Sequence, residues 1–136
     1  MLMAHEPLTK NELGALSALA LAHTGDAVYE LLVRAWLVSC GKATNGSVHK
    51  ETVARVSAPA QAAAMERLLP LLSEEEQAVY RRGRNAHVHA IPKNATHEQY
   101  AKATGLEALF GYLYLSGREE RCLALFTALT EEDHAL

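Results

Sequence analysis

Apolar residues recur along the chain at the three- and four-residue spacing of helices. In 98–115 the pattern is denser still: Ala103, Leu106, Leu109, Phe110, Leu113 and their neighbours leave the segment apolar nearly all round, which predicts a central helix packed on most sides. Thr9 with Glu12, Ser73 with Glu76 and Thr96 with Gln99 have capping-box spacing and mark three helix starts. Further helices are predicted at 26–39, 47–56, 58–71 and 117–130, bounded by Gly25, Gly41, Pro59, Pro70 and Gly117. The apolar run Leu19–Ala22 also lets the helix at 26 extend backwards through Gly25. No period-2 strand competes, no internal repeat or linker interrupts, and the longest irregular piece is about 86–95. Residues 1–136 therefore read as one all-α helical bundle, a single domain rich in Ala and Leu and long enough for a core of its own.

Two carboxylates break this apolar pattern. Asp26 lies inside LALAHTGDAVYELLVRAWLV and Glu107 inside ATGLEALFGYLYL, and neither belongs to a solvated charge run. A buried ionised carboxylate costs several kcal/mol unless donors or a cation compensate it. Two in the most apolar segments point to one shared compensation, a bound metal ion. Each has a plainer alternative: Asp26 as an N-cap after Gly25, Glu107 as the partner of a core arginine. Glu107 shares its helix face with Ala103, Thr104, Phe110 and Gly111, mostly small residues that leave room beside it. Glu30 is expected to pair with Arg34 one turn on rather than to join the site.

Net charge is only −3, so the distribution of charge says more than its sum. From Gln77 to His97 there is no acidic residue, whereas Arg81, Arg82, Arg84 and Lys93 supply cations and Asn85, His87, His89 and Asn94 donors. Such a run can be a helix C-terminus answering its dipole. Its continuation into an irregular segment and its lack of interleaved acids favour contact with phosphates. His49, Lys50 and Arg55 form a second, weaker positive strip. His87-x-His89 lacks Cys partners and HExxH spacing, so a polar or phosphate-contacting role is expected ahead of a transition-metal site. No His-Asp dipeptide, nucleophile elbow or Gly-rich phosphate loop appears, which argues against those hydrolase chemistries. Cys40 and Cys122 have no disulfide or zinc spacing and no signal peptide or long apolar span accompanies them; a reducing cytoplasm without membrane attachment is expected.

GDAV at 25–28 and LEALFGYLYL at 106–115 resemble the two acidic signatures of the ribonuclease III endonuclease domain, in which GDAV ends the longer motif ERLEFLGDAV. Closer still is the similarity to the Mini-ribonuclease III branch, which has the catalytic domain and no double-stranded-RNA-binding domain. The segments LALAHTGDAVYELLVR, VSAPAQA, RRGRNA, PKNA and ATGLEALFGYLYL carry that likeness in order across the chain. The resemblance implies an all-helical homodimer that cleaves double-stranded RNA with Mg²⁺, or Mn²⁺ in its place, leaving 5′-phosphate ends. Maturation of large-subunit (23S) ribosomal RNA, with a ribosomal protein as a conceivable helper, is the implied setting. Asp26 and Glu107 would be the catalytic and metal-binding residues. Lys50, Arg82, Arg84, Asn85, His87, Lys93 and Asn94 are the candidate RNA contacts.

The sequence also departs from the larger enzymes. The glutamates of ERLEFLGD fall on Leu19 and Ala22, and the aspartate before the second-motif glutamate falls on Thr104. Two carboxylates are left, so a Mg²⁺ ion would keep several waters and take phosphate oxygens to complete its octahedron. The same loss supports a rival reading, a noncatalytic helical module that binds structured RNA. A pure dimerisation domain is a more distant third.

Overall fold

In a computed structural model, which describes residues 4–41, 46–86 and 93–134 (side chains to 131), every regular element among the described residues is a helix. These are α1 (Lys10–Ala15), α2 (Ala18–Ser39), α3 (Ser47–Val56), α4 (Ala58–Leu68), α5 (Glu74–Arg84), α6 (His97–Leu115) and α7 (Glu119–His134), with a 3₁₀ turn at Leu69–Leu71 after α4. All three predicted capping boxes form. Thr9, Ser73 and Thr96 each accept from the backbone of the third residue on, and Glu12, Glu76 and Gln99 each answer the cap's own N–H. The predicted helices at 47–56 and 58–71 appear with those limits, the latter closing as the 3₁₀ turn.

Of the two limits read for the second helix, the start at 26 fails and the backward extension holds: it begins at Ala18, capped by Ser17, and runs unbroken through Gly25. Glycine is not a boundary there. It marks the place where two helices touch, and Gly111 of α6 is its counterpart: a Cβ on Gly111 would lie 1.9 Å from the carbonyl oxygen of Leu21. Only two residues without side chains let α2 and α6 cross this closely. Gly83 of α5 and Gly105 of α6 do the same at the next crossing, where a Cβ on Gly83 would meet Ala108 Cβ at 2.7 Å.

α6 is accordingly the axis of the bundle, with α2, α4, α5 and α7 packed around it. Phe110 and Leu106, Leu109 and Leu113 of α6 are fully enclosed, together with Leu21, Val33 and Leu37 of α2 and Met65 and Leu68 of α4. Tyr29 sets its ring edge-on to Phe110 at 5.2 Å and to Phe126 of α7 at 5.9 Å, tying α2, α6 and α7 into one core. Of the described residues, no helix is long and apolar enough to cross a membrane.

Candidate active site

Because α2 and α6 meet at Gly25 and Gly111, the residues flanking that contact are fixed relative to each other. Asp26 follows Gly25 and Glu107 lies one turn before Gly111, so both carboxyls reach the same side of the crossing. They line one cavity of about 570 Å³. Its other walls are the α3–α4 junction, with Val56, Ser57, Ala58, Pro59 and Gln61, and the entry into α6, with Lys93, Asn94, Ala95, Tyr100 and Ala103. Asp26 is exposed and in mid-helix, so the N-cap reading is excluded. Glu107 is half-buried, and the groups acting on its carboxyl are Asp26 and the Gln61 amide rather than an arginine.

The electrostatics follow from this placement. The Glu107 carboxyl is pushed up to about 8, first by burial and then by the charge of Asp26 and the hydrogen bond between the two carboxyls. Gln61 opposes the shift, since an amide N–H donated to the carboxylate favours its charged form. With its carboxyl raised in this way, Glu107 holds a proton at neutral pH when no cation is present. A hard divalent cation is the ligand that would displace that proton and offset both charges. The donor set fits such an ion: carboxylate oxygens facing an open cavity with room for water and substrate oxygens. Among the described residues no cluster of three or more His, Cys, Asp or Glu side chains forms. The protein's own share of the coordination would thus be the two carboxylates, the rest coming from water and substrate.

The other candidates divide. Lys93 and Asn94 are exposed and line the cavity beside the acids. Arg84 and Asn85 are exposed at the C-terminus of α5, where Asn85 is the C-cap and the Arg84 guanidinium lies 5.6 Å from the Tyr80 ring. Arg82 is exposed too, but its guanidinium donates to the carbonyl oxygen of Leu16 at 2.8 Å, closing the end of α1. Lys50 is exposed on α3 and does not line the cavity. His87 lies outside the described residues. The strip of His49, Lys50 and Arg55 is shorter than expected, because Arg55 is partly buried with its guanidinium 4.5 Å over the Trp36 ring. Glu30 pairs with Arg34 at 2.7 Å, as its spacing predicts. Thr104, at the position of the missing aspartate, donates its hydroxyl to the Tyr100 carbonyl at 3.0 Å.

Gln61 and Tyr100 were not among the residues expected at the site. For Gln61 a signal existed: it is the one polar side chain in PAQAAAM, where a solvated face would not carry four alanines. At 2% exposed it has lost about 1.5–2 kcal/mol of side-chain freedom, which a buried amide recovers only through its hydrogen bonds. Tyr100 gave no such signal.

Residues 19–118 match the family described as the Ribonuclease III domain. The chain is 46% identical over 116 residues to a Mini-ribonuclease 3 of Symbiobacterium thermophilum, covering 85% of this chain and 89% of that one. It is 48% identical over 116 residues to a Mini-ribonuclease 3 of Thermoanaerobacter sp., covering 85% and 82%. The fold is similar to an X-ray structure of a Fusobacterium nucleatum protein, with a TM-score of 0.80 at 28% identity over 88% of this chain and 95% of that one. With the helical scaffold and this breadth of likeness together, the chain belongs to the ribonuclease III family, in its Mini-ribonuclease 3 branch.

Proposed function

We propose that this protein is a metal-dependent endoribonuclease that cleaves double-stranded RNA, with residues 1–136 as one catalytic domain acting in a homodimer. The convergence of Asp26 and Glu107 in one open cavity carries the reading. A bound Mg²⁺, with Mn²⁺ as a substitute, supplies a water of lowered pKa and neutralises charge on the scissile phosphate. Asp26 and Glu107 hold that ion and keep their carboxylate oxygens towards the cavity. Lys93 and Asn94 grip the RNA backbone at the cavity mouth, and Lys50, Arg84 and Asn85, with His87 and Arg82, extend the contact along phosphates and 2′-hydroxyls. Recognition is of A-form shape rather than base edges. Products carry 5′-phosphate and 3′-hydroxyl ends, and the substrate is a precursor of large-subunit ribosomal RNA.

A second copy is supported by an apolar groove between α2 and α7, about 580 Å³, lined by Ala27, Val28, Leu31, Tyr114, Cys122 and Leu123 among others. Leu31 and Leu123 are half exposed on it. A duplex has two strands, and two sites related by a dimer axis would meet one each.

A long duplex RNA incubated with the protein and Mg²⁺ tests the proposal. Chelator-sensitive fragmentation into 5′-phosphorylated pieces is the expected result. A duplex that is bound but stays intact would instead favour the noncatalytic module, for which the two-carboxylate set is the supporting observation.

A further inference from the structure

α2 and α6 each bring a carboxylate to the cavity, and α4 brings an uncharged amide. α4 starts Ala58, Pro59, Ala60, Gln61, and its Ser57 cap accepts from the Ala60 N–H, so the first turn is fixed. Gln61 is almost wholly buried and lines the same cavity as Asp26 and Glu107, where its amide acts on the Glu107 carboxyl and favours the charged form.

That contact supplies something neither acid has, an N–H donor. Two carboxylates aimed at each other repel, and the longer one, Glu107, has three torsions through which it could turn away. A donor anchored in a third helix acts on the carboxylate from outside the pair, while the amide oxygen remains as an acceptor. Thr104 cannot share this role, because its hydroxyl is spent on the Tyr100 carbonyl. Partners that orient metal-binding carboxylates in this way characteristically control metal affinity.

We infer that Gln61 is a positioning residue whose side-chain amide holds the Glu107 carboxyl towards Asp26 and thereby sets the affinity of the pair for a divalent cation. This rests on the proposed reading of the two acids as a metal site. Gln61 itself touches neither the ion nor the RNA.

The test is Mn²⁺ binding to the full chain without RNA, followed by the paramagnetic signal of free Mn²⁺, for wild type, Gln61→Met, Gln61→Asn, Asp26→Asn and Glu107→Gln. Met keeps the volume and removes the donor; Asn keeps the amide on an arm too short to reach. Both should bind Mn²⁺ about 10- to 100-fold more weakly than wild type. Cleavage by both should need correspondingly more Mg²⁺ and largely recover at saturation, while duplex binding in chelator stays unchanged. Wild-type Mn²⁺ affinity in a folded Gln61→Met would overturn the inference alone, and should that variant not fold, the same result in Gln61→Asn would do so. If wild type, Asp26→Asn and Glu107→Gln all bind Mn²⁺ equally, the metal reading itself fails and the inference falls with it.

Discussion

A Cβ on Gly25 would lie 1.6 Å from the carbonyl oxygen of Glu107. No side chain fits there, so the residue before one site carboxylate is in backbone contact with the residue that bears the other. The distance between the two acids is thus set by the helix crossing itself, not by flexible loops.

Gly25→Ala should therefore push α2 from α6 even though Ala favours a helix by about 1 kcal/mol over Gly. A backbone clash at a packed crossing belongs at the upper end of overpacking costs, about 3 kcal/mol. Urea unfolding would measure the loss, and cleavage should fall further than the folded fraction because the carboxylates separate. A variant as stable and as active as wild type would contradict the close crossing.

Asp26→Asn and Glu107→Gln should each leave the bundle folded, since neither carboxylate contributes to the apolar core. Each removes a cation-binding charge at the reacting centre. A loss of about 3–4 kcal/mol of transition-state stabilisation, roughly 10²- to 10³-fold in rate, is expected. Single-turnover cleavage of duplex RNA reads it, with circular dichroism as the control for folding. Near-normal cleavage by either variant would remove that residue from the chemistry.

Away from the site, Glu76 is 3% exposed and takes a two-pronged contact from Arg121, with Nε to Oε2 at 2.8 Å and a terminal nitrogen to Oε1 at 2.9 Å. Arg121 also holds its carboxyl below the ordinary 4.5, outweighing burial, and the Ser73 N–H adds to the effect. Because the folded form binds its proton more weakly than the unfolded form, the pair stabilises the protein above about pH 4.5. That contribution disappears as pH falls through the folded value. Arg121→Ala should cost about 3 kcal/mol at pH 7, the low end for a broken buried pair because the guanidinium is partly solvated. Thermal unfolding at pH 7 and pH 3 would show wild type and variant converging in acid; a constant gap would count against the pair.

The sequence makes the local features of this protein legible and hides the distant ones. Capping boxes are decided within four residues, so Thr9, Ser73 and Thr96 could be recognised as helix starts. Asp26 and Glu107 stood out because a charge in an apolar run is anomalous wherever the chain goes. Gly25 was ambiguous: along one segment a glycine resembles a helix boundary although the apolar run before it carries the helix through, and only the backbone of α6, remote in sequence, gives it its meaning. Arg82 resembled its neighbours for the same reason. Nothing near it in sequence discloses that the Leu16 carbonyl waits at the end of α1.

The basic residues can accordingly be separated by experiment. Lys93 lines the acid cavity, whereas Arg82 closes α1. Lys93→Ala should weaken duplex binding uniformly across sequences and reduce the slope of log affinity against log salt by about one, one phosphate contact's worth. Arg82→Ala should lower the unfolding temperature, and Arg84→Ala should act on the salt slope rather than on stability. Binding titrations from low to high salt, in chelator to prevent cleavage, distinguish them. An unchanged slope for Lys93→Ala would take it out of the RNA path.

The α2–α7 groove gives the last prediction. Leu31 and Leu123 are 50% and 52% exposed, so replacing either by a charged residue removes little from the core of one chain. If a second copy covers the groove, Leu31→Glu buries two like charges near the dimer axis, one from each chain, at a cost of several kcal/mol. Light scattering should then find monomers of unchanged helical content, and duplex cleavage should drop although Asp26, Glu107 and Gln61 are intact in each copy. Leu71, equally exposed but outside the groove, is the control, and Leu71→Glu should change neither mass nor rate. A Leu31→Glu protein that stays dimeric and active would place the contact between copies elsewhere on the surface.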